Sequence, residues 1–328
     1  MKEIYLVTGG AGFIGSNIVE HLLRDNNRVR VVDNLSTGRK ENLDFVKGIE
    51  LKEGQFEFLD GDIRDLDVCR RATKGVDFVL HQAALPSVAR SLEDPIATNE
   101  VNVKGTLNLL WASKKAGIKK FVYASSSSVY GDSPTLPKRE EMKPNPFSPY
   151  AVSKLTGEYY CNSFFTLYGL ETVALRYFNV FGPRQDPTSQ YSAVVPRFIK
   201  SVIAGERPVI FGDGEQSRDF TYVENVIKAN ILAARTERIP NRVFNIACGE
   251  RTSIKQLLRE INSIVRSDIT PVFKERRAGD VKAPVFKERR AGDVRHSLAD
   301  IEKAGADLKF FPEFFLRDGL IRTVQGYK

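Results

Sequence analysis

The chain has 328 residues, 42% of them hydrophobic, and carries 49 basic and 41 acidic residues, which gives a net charge of +8 at pH 7. This length can bury a large core and permits two domains, and no apolar run approaches the length of a membrane-spanning helix. Because the cations are scattered among the acids without a long basic run, we interpret the charge as a solvated surface around an anionic small-molecule site and exclude nucleic acid as a partner.

Two features bear on the compartment of the protein. Cys69, Cys161 and Cys248 are odd in number and widely spaced, which fits neither a disulfide framework nor a metal site, so we expect three reduced, buried thiols. The first residues lead directly into a predicted strand and leave no room for a signal peptide. We therefore expect a cytoplasmic protein.

The first predicted element is a strand over residues 4–8, followed by a tight glycine turn and a helix that starts at Phe13. Gly10, Gly12 and Gly15 match Gly-x-Gly-x-x-Gly, in which the first glycines let the backbone approach a pyrophosphate and the last lets helix and strand pack closely. The helix N-terminus offers free N–H groups to the phosphates. The motif predicts a dinucleotide site, although a sharp turn without a ligand can have the same pattern.

The second predicted strand covers residues 28–32 and ends at Asp33. An acidic side chain at this point accepts hydrogen bonds from the ribose hydroxyls of the adenosine. A carboxylate there repels the 2′-phosphate of NADP. The sequence therefore predicts NAD as the cofactor.

Short β-rich runs alternate with helical stretches along the first half of the chain. The further predicted strands cover residues 56–59, 77–80, 120–125 and 172–177. This alternation predicts an α/β fold with a doubly wound parallel sheet of the Rossmann type, in which ligands bind at the carboxyl ends of the strands.

Polar residues follow two of these strands. Asp62 comes after the third strand, where an acid can meet the adenine amino group, cap the next helix, or do both. His81 closes the fourth strand, and we interpret it as a buried, hydrogen-bonded histidine rather than a catalyst. The small residues at 82–84 leave space for the cofactor.

Two helices carry more apolar residues than a single face can hold. The helix predicted over residues 99–116 is apolar on most sides, and such a helix is buried on most sides. The aromatic residues predicted to face outward on the helix after Pro149 are Tyr159, Tyr160, Phe164 and Phe165. We predict a homodimer through the helices near residues 99–116 and 149–167.

After about residue 180 the alternation becomes irregular, and prolines fall among short elements. We predict a Rossmann domain over residues 1–180 and a smaller α/β lobe over residues 181–328. A strand at residues 243–246 is expected to return to the main sheet, so the two parts need not be contiguous in sequence.

The second half of the chain contains a tandem repeat. Residues 271–281, PVFKERRAGDV, recur identically at residues 284–294, a period of 13 residues. This period is too short for a solenoid. We interpret the repeat as a local duplication in which one copy occupies the functional place and the other forms a loop.

A set of polar residues suited to catalysis follows the fifth predicted strand. That strand ends in the serines of residues 125–128, and Ser148 and Pro149 fit the cap and first turn of a helix. Tyr150 and Lys154 lie four residues apart in this helix and share a face. The hydroxyls, phenol and ammonium can converge beside the nicotinamide of a bound dinucleotide, where nearby positive charge favours the phenolate.

The sequence resembles the extended short-chain dehydrogenases/reductases over nearly its whole length. The features that carry the resemblance are, in chain order, the glycine turn, Asp33, the serines after the fifth strand and the Tyr-x-x-x-Lys pair. Within that family the sequence resembles the UDP-hexose 4-epimerases. The resemblance implies that Ser126 is the catalytic serine, that Tyr150 is the acid/base, and that Lys154 holds the ribose and tunes Tyr150. Serines stand at 127–128 where related dehydratases and decarboxylases carry acidic residues, which disfavours those two reactions.

The resemblance and the motifs together give the expected ligand contacts. The expected cofactor contacts are Gly9, Gly10, Gly12, Phe13, Ile14, Gly15, Asp33, Asn34, Asp62, Ile63, Gln82, Ala83, Ala84, Lys154 and Tyr177. The expected substrate contacts are Ser87, Ser126, Ser127, Tyr150, Asn179, Val195, Arg218, Arg290, Asp293 and Ser297. Asn179 is expected to bind the phosphate of the sugar nucleotide, in a loop with residues 182–187, and Arg218 to pair with its diphosphate through a bidentate fork.

Three of the expected substrate contacts lie in or next to the repeat. The residues that match the Arg-x-Gly-Asp uridine-phosphate clamp of the family are Arg290, Asp293 and Ser297. The first copy offers Arg277 and Asp280 but has Pro284 in the place of the serine, so we favour the second copy.

The resemblance also bears on the substrate. A small residue at position 297 leaves room for a 2-N-acetyl group, which favours UDP-N-acetylglucosamine and UDP-N-acetylgalactosamine, with UDP-glucose and UDP-galactose as further substrates. UDP-glucuronate 4-epimerase is an alternative, although a threonine is then expected in place of Asn179. A non-catalytic NAD-sensing regulator is another, disfavoured because Ser126, Tyr150 and Lys154 are all present.

Overall fold

The computed structural model describes residues 3–187, 193–274 and 295–327. The strands are β1 Ile4–Thr8, β2 Arg28–Asp33, β3 Phe56–Asp60, β4 Phe78–His81, β5 Lys120–Ser126, β6 Thr172–Tyr177, β7 Val180–Phe181, β8 Val209–Phe211, β9 Ser217–Arg218, β10 Thr221–Tyr222, β11 Val243–Ile246, β12 Thr252–Ser253 and β13 Val272–Lys274. The α-helices are α1 Phe13–Arg24, α2 Leu66–Thr73, α3 Val88–Glu93, α4 Pro95–Asn99, α5 Thr106–Ala116, α6 Pro149–Tyr168, α7 Val194–Ile203, α8 Val223–Arg235, α9 Ile254–Val265, α10 Glu302–Leu308 and α11 Leu316–Gln325.

Seven strands form one parallel sheet in the order β3-β2-β1-β4-β5-β6-β11. The chain runs from β1 outward to β3 and then begins the other half at β4, so the strand order reverses between β1 and β4. Ligands of open α/β sheets bind outside the carboxyl ends of the strands at such a reversal. The predicted α/β fold of the Rossmann type is confirmed.

The last strand of this sheet comes from the second half of the chain. In β11, Ile246 lies opposite Tyr177 of β6. Helix α8 packs against α1 and against the sheet at β5. Residues beyond 180 therefore complete the sheet as well as forming the smaller lobe, and the division into two domains remains a prediction.

The two faces of the sheet are covered by different apolar clusters. In β1, Val7 packs with α1 and α8 on one face, whereas Leu6 packs with α2 and α5 on the other, as the alternation of a strand requires. Both side chains are fully buried. A further cluster that includes Phe198, Tyr222 and Leu257 forms the core of the smaller lobe.

The three cysteines are buried free thiols, as predicted. Burial raises the pKa of Cys69 and of Cys248 to about 12, so these thiols stay protonated at neutral pH. Within residues 3–187, 193–274 and 295–327 no group of side chains is arranged to hold a metal ion. No helix in the same ranges is long and apolar enough to cross a membrane.

The two apolar helices differ in part from their prediction. The segment over 99–116 is helical, but a π-helical turn, Glu100–Gly105, joins α4 to α5, and Trp111 is only half-buried. In α6, Tyr159 is 62% exposed, whereas the prediction that Phe164 faces outward is wrong. Phe164 lies three residues after Cys161 on the face that packs against the sheet. The homodimer remains a prediction.

The structure describes only residues 271–274 of the repeat. There, β13 pairs in parallel with β8. The rest of the first copy, with Arg277 and Asp280, and the whole second copy, with Arg290 and Asp293, lie outside the described residues.

Candidate active site

The glycine turn connects β1 to α1 at the carboxyl end of the sheet. Gly9 has a φ of +67°, and its carbonyl accepts a hydrogen bond from the Gly12 N–H at 3.0 Å. Gly12 precedes α1 and supplies no side-chain cap. The first N–H groups of α1 are therefore left for a ligand, and the positive end of the helix dipole favours a phosphate there.

Gly15 is the glycine of this turn at which a side chain would fit least well. A Cβ at this position would lie 2.1 Å from the Gly9 carbonyl oxygen. We expect the Gly15→Ala variant to lose bound NAD and about 1–3 kcal/mol of its free energy of unfolding, because α1 must move away from the turn. Cofactor content after purification and thermal unfolding measure the two effects.

Gly48→Ala is the matched control for this substitution. A Cβ at Gly48 meets nothing within 4 Å, and the residue does not have a positive φ. We expect the Gly48 variant to retain wild-type NAD content. A Gly15→Ala protein with the same NAD content and stability as this control contradicts the assignment of the turn.

Asp33 lies at the end of β2, beside the glycine turn. Its Oδ2 accepts the Ala11 N–H at 2.9 Å and its Oδ1 accepts the Leu35 N–H at 2.8 Å. Burial raises the pKa of Asp33, while these two amides act in the opposite direction. The second lone pair of each oxygen is left for ribose hydroxyls.

The two acids after β3 have different roles. Asp65 caps α2, since its side chain accepts the N–H groups of Asp67 and Val68. Asp62 pairs with Arg64 at 2.7 Å, and hydrogen bonding to this guanidinium holds the pKa of Asp62 at about 2. The cap of α2 is therefore Asp65 and not Asp62. The contact with the adenine amino group remains a prediction for Asp62.

A cleft of about 480 Å³ runs from this turn along the carboxyl ends of the strands. The predicted cofactor contacts that line it are Gly9, Gly12, Phe13, Ile14, Gly15, Asp33, Asn34, Asp62, Ile63, Gln82, Ala83, Ala84, Lys154 and Tyr177. Gly10 packs below the cleft, since a Cβ there would meet the Val31 side chain at 2.7 Å. The cleft suits an extended, anionic dinucleotide, because it has an uncapped helix N-terminus at one end and a polar strand end at the other.

Tyr150 and Lys154 line the far end of this cleft. Ser148 caps α6 by accepting the Ala151 N–H at 3.1 Å, and Pro149 occupies the first turn, as predicted. The Tyr150 hydroxyl faces Ser126, which acts to lower the pKa of the phenol. The structure thus brings these hydroxyls to one point, opposite the end of β5.

Lys154 is held in place by the end of the same strand. Its Nζ donates to the Ala124 carbonyl at 2.8 Å and lies 5.9 Å from the centre of the Tyr150 ring. Burial raises the pKa of Tyr150, and the neighbouring Ser126 partly offsets this rise. Burial lowers the pKa of Lys154 to about 8. Lys154 is therefore still mainly cationic at pH 7.

A buried ion pair lies one helical turn beyond Lys154. Arg176 Nη2 lies 2.7 Å from Glu158 Oε2, and both side chains are 4% exposed. Glu158 also accepts the hydroxyl of Ser125, the residue before Ser126. This network joins α6 to β5 and β6 next to the tyrosine and serine, and no sequence motif indicated it.

His81 and Tyr177 support the cleft from below. His81 is bonded to Thr8 at 2.7 Å and to Thr106 at 2.9 Å, and burial lowers its pKa to about 3, so the predicted buried, hydrogen-bonded histidine is confirmed. The Tyr177 hydroxyl accepts from Asn230 at 2.8 Å, and burial raises its pKa to about 12. Both side chains are neutral at pH 7.

Three of the predicted substrate contacts, Asn179, Arg218 and Ser297, lie close together. Asn179 has a φ of +34° and donates to the Asp219 carbonyl at 3.1 Å. Arg218 donates to the Ser217 carbonyl at 3.0 Å, and the same carbonyl accepts the Ser297 N–H at 3.0 Å. Segments that are distant in sequence thus meet at this point.

The other predicted substrate contacts have more local environments. Ser87 caps α3 with a φ of +92°. Ser127 begins a 3₁₀ turn, Ser127–Tyr130, whose cap is Ser126. Val195 is 1% exposed in the core of the smaller lobe.

The loop over 182–187 reaches the cleft, and its predicted role toward the substrate remains a prediction. Residues 184–187 line the dinucleotide cleft, and Asp186 pairs with Arg39 at 2.6 Å. Tyr327 donates to the Gln185 carbonyl at 2.7 Å. These contacts join the loop to the far end of the chain, and neither Arg39 nor Tyr327 belongs to a motif that could have predicted them.

Known proteins share this fold and much of this sequence. Residues 5–247 match the NAD dependent epimerase/dehydratase family. The chain is 38% identical over 325 residues to the UDP-glucose 4-epimerase of Mycolicibacterium smegmatis, with 98% of each chain covered. It is 36% identical over 331 residues to the UDP-glucuronate 4-epimerase of Thermodesulfobacterium geofontis, with 99% of this chain and 96% of the relative covered.

A solved structure agrees with these relatives. The UDP-N-acetylglucosamine 4-epimerase of Methanobrevibacter ruminantium, in complex with UDP-N-acetylmuramic acid, superposes with a TM-score of 0.89 at 42% identity, covering 100% of this chain and 99% of that one. Fold, cofactor cleft and sequence lead to the same conclusion: the chain belongs to the NAD-dependent epimerase/dehydratase family, and NAD is its cofactor.

Proposed function

We propose that this enzyme inverts C4 of a UDP-linked hexose through a 4-keto intermediate. The observation that carries the proposal is the meeting of Ser126, Tyr150 and Lys154 at one end of the dinucleotide cleft. The relatives described above are named as 4-epimerases of UDP-sugars, which supports UDP-sugar 4-epimerase activity as the general function.

The chemistry is divided among the three side chains. Bound NAD supplies the acceptor and donor of hydride at C4. Tyr150 removes the proton of the 4-hydroxyl as the carbonyl forms and returns it when the carbonyl is reduced on its other face. Ser126 bonds the same oxygen in both states, and Lys154 holds the ribose while its charge favours the phenolate.

This assignment requires the Tyr150 phenol to ionise more readily with cofactor bound than without it. In the protein alone, burial raises the pKa of Tyr150. For positive charge to lower the pKa of Tyr150 by one unit, it must stabilise the phenolate relative to the neutral phenol by about 1.4 kcal/mol. The Lys154 ammonium and a cationic nicotinamide at this end of the cleft both act in that direction.

The finer proposal concerns the sugar. We infer that UDP-N-acetylglucosamine and UDP-N-acetylgalactosamine are the preferred pair, with UDP-glucose and UDP-galactose also accepted. Ser297, a small residue 9% exposed beside Arg218 and Asn179, supports this inference because a small side chain leaves room for a 2-N-acetyl group. The relative named for UDP-N-acetylglucosamine agrees with it.

Enlarging Ser297 tests the preference. In the Ser297→Tyr variant we expect kcat/KM for UDP-N-acetylglucosamine to fall at least about tenfold relative to that for UDP-glucose, because the larger ring excludes the acetamido group. Ser297→Ala is the control, with the ratio unchanged. If the tyrosine variant loses both activities in equal proportion, position 297 does not select the 2-substituent.

The general function is tested with the purified protein and no added NAD. We expect C4 epimers to form from UDP-N-acetylglucosamine and UDP-glucose because the cofactor stays bound between turnovers. UDP-glucuronate belongs in the same panel, since one relative is named as its 4-epimerase. Turnover of UDP-glucuronate alone assigns that substrate instead, and bound NAD without epimerisation of any of these UDP-sugars supports the NAD-sensing regulator.

A further inference from the structure

Asp219 has a fully buried side chain and is not among the predicted site residues. Its Oδ1 accepts the Cys248 N–H at 3.0 Å, and its Oδ2 accepts the N–H groups of Gly249 at 3.0 Å and Ala299 at 3.3 Å. These amides belong to two segments about fifty residues apart in the numbering. One side chain therefore joins both segments to the end of β9.

The same carboxyl lies at the centre of the predicted substrate contacts of the smaller lobe. Arg218 precedes Asp219 in the chain, and the side-chain amide of Asn179 donates to the backbone carbonyl of Asp219 at 3.1 Å. Ser297 lies two residues before Ala299, whose N–H the carboxylate accepts. The positions of all three contacts therefore depend on bonds made by one residue.

The ionised form of Asp219 suits this arrangement, because a carboxylate is an acceptor only. Burial raises the pKa of Asp219 to about 6, and the three amides oppose the rise. The group is thus mainly a carboxylate at pH 7, and a carboxylate offers acceptor sites to all three amides at once.

We propose that Asp219 is a positioning residue, which without touching the substrate holds Arg218, Asn179 and Ser297 in one arrangement around its uridine diphosphate end. The inference rests on the proposed function for the nature of the ligand. Arg218 and Ser297 approach from separate segments, so the distance between them is set by the bonds that join those segments. Removal of one such bond is expected to weaken binding at this end of the substrate and leave the tyrosine and serine in place.

The Asp219→Asn variant tests the proposal at nearly constant volume. The amide replaces one acceptor oxygen with an NH₂ group, so one of the backbone N–H groups loses its acceptor. We expect the Kd of UDP, measured by calorimetry, and the KM of the UDP-sugar to rise about tenfold, the effect of one lost hydrogen bond. We expect kcat and the content of bound NAD to change little.

Thr323→Val is the matched control in the same lobe. Thr323 is 1% exposed, and its hydroxyl donates to the Gly319 carbonyl within α11, away from the segments that Asp219 joins. Its loss is expected to lower the unfolding temperature without raising the Kd of UDP. A purely structural role for Asp219 predicts the same behaviour for both variants.

A second measurement needs no variant. In the wild-type protein, saturating UDP is expected to slow hydrogen exchange at the amides of Cys248, Gly249 and Ala299, because a ligand between Arg218 and Ser297 stabilises the bonded arrangement. Exchange that UDP leaves unchanged, or an Asp219→Asn protein with wild-type affinity for UDP, overturns the proposal. Failure of UDP to bind the wild-type protein overturns the proposed function instead, so the two failures are distinguishable.

Discussion

The Tyr150→Phe variant is expected to lose about 10²- to 10⁴-fold in kcat, the range of a positioned acid/base group, while it keeps its NAD. Phenylalanine retains the ring that lines the cleft and removes only the hydroxyl that faces Ser126. The proton of the substrate 4-hydroxyl then has no acceptor. Initial rates of C4 epimerisation and cofactor content measured on the same preparation give both quantities.

Tyr123→Phe is a closely matched control for this substitution. The Lys154 ammonium lies 5.2 Å from the Tyr123 ring, and within the described residues the buried Tyr123 hydroxyl has no hydrogen-bond partner. Its removal is expected to leave kcat close to the wild-type value. Equal losses in the two phenylalanine variants contradict the acid/base role of Tyr150.

The second large effect is on stability and concerns the buried pair of Glu158 and Arg176. The Glu158→Gln variant is expected to lose about 3–5 kcal/mol of its free energy of unfolding, because the Arg176 guanidinium stays buried without its counter-charge. Burial of both side chains at 4% exposure leaves water no access to the lone cation. Urea denaturation followed by circular dichroism measures the change.

The pair of Glu260 and Arg317 provides the control, since its side chains are 30% and 56% exposed. Glu260→Gln is expected to cost no more than about 1 kcal/mol. Replacing both members of the buried pair, in a Glu158→Leu, Arg176→Met variant, is expected to restore much of the lost stability. A Glu158→Gln variant as stable as the Glu260 variant argues that the buried charge is not a main source of stability.

Local sequence signals predicted the framework of the site well. The strand before the glycine turn spans residues 4–8 as expected, because β-branched and aromatic residues precede glycines that only a turn accommodates. Ser148 and Pro149 begin α6 as predicted because a hydroxyl cap and a proline without N–H suit the first turn. Such signals act within a few residues, so they are readable from one sequence.

Features that depend on distant contacts could not be predicted in this way. The prediction for Phe164 is wrong because the apolar residues of α6 do not mark a single face. The bond from Tyr327 to Gln185 and the amides that converge on Asp219 join segments far apart in the chain. Only the folded sheet and the smaller lobe bring these groups together.

The fate of the hydrogen on C4 distinguishes the proposed reaction from other routes to the same epimer. UDP-N-acetylglucosamine carrying deuterium at C4 can be converted in ordinary water and the product examined by mass spectrometry and NMR. If hydride leaves C4 for NAD and returns to the same carbon, the UDP-N-acetylgalactosamine formed retains its deuterium at C4. Epimerised product that has exchanged this deuterium for solvent hydrogen contradicts the account.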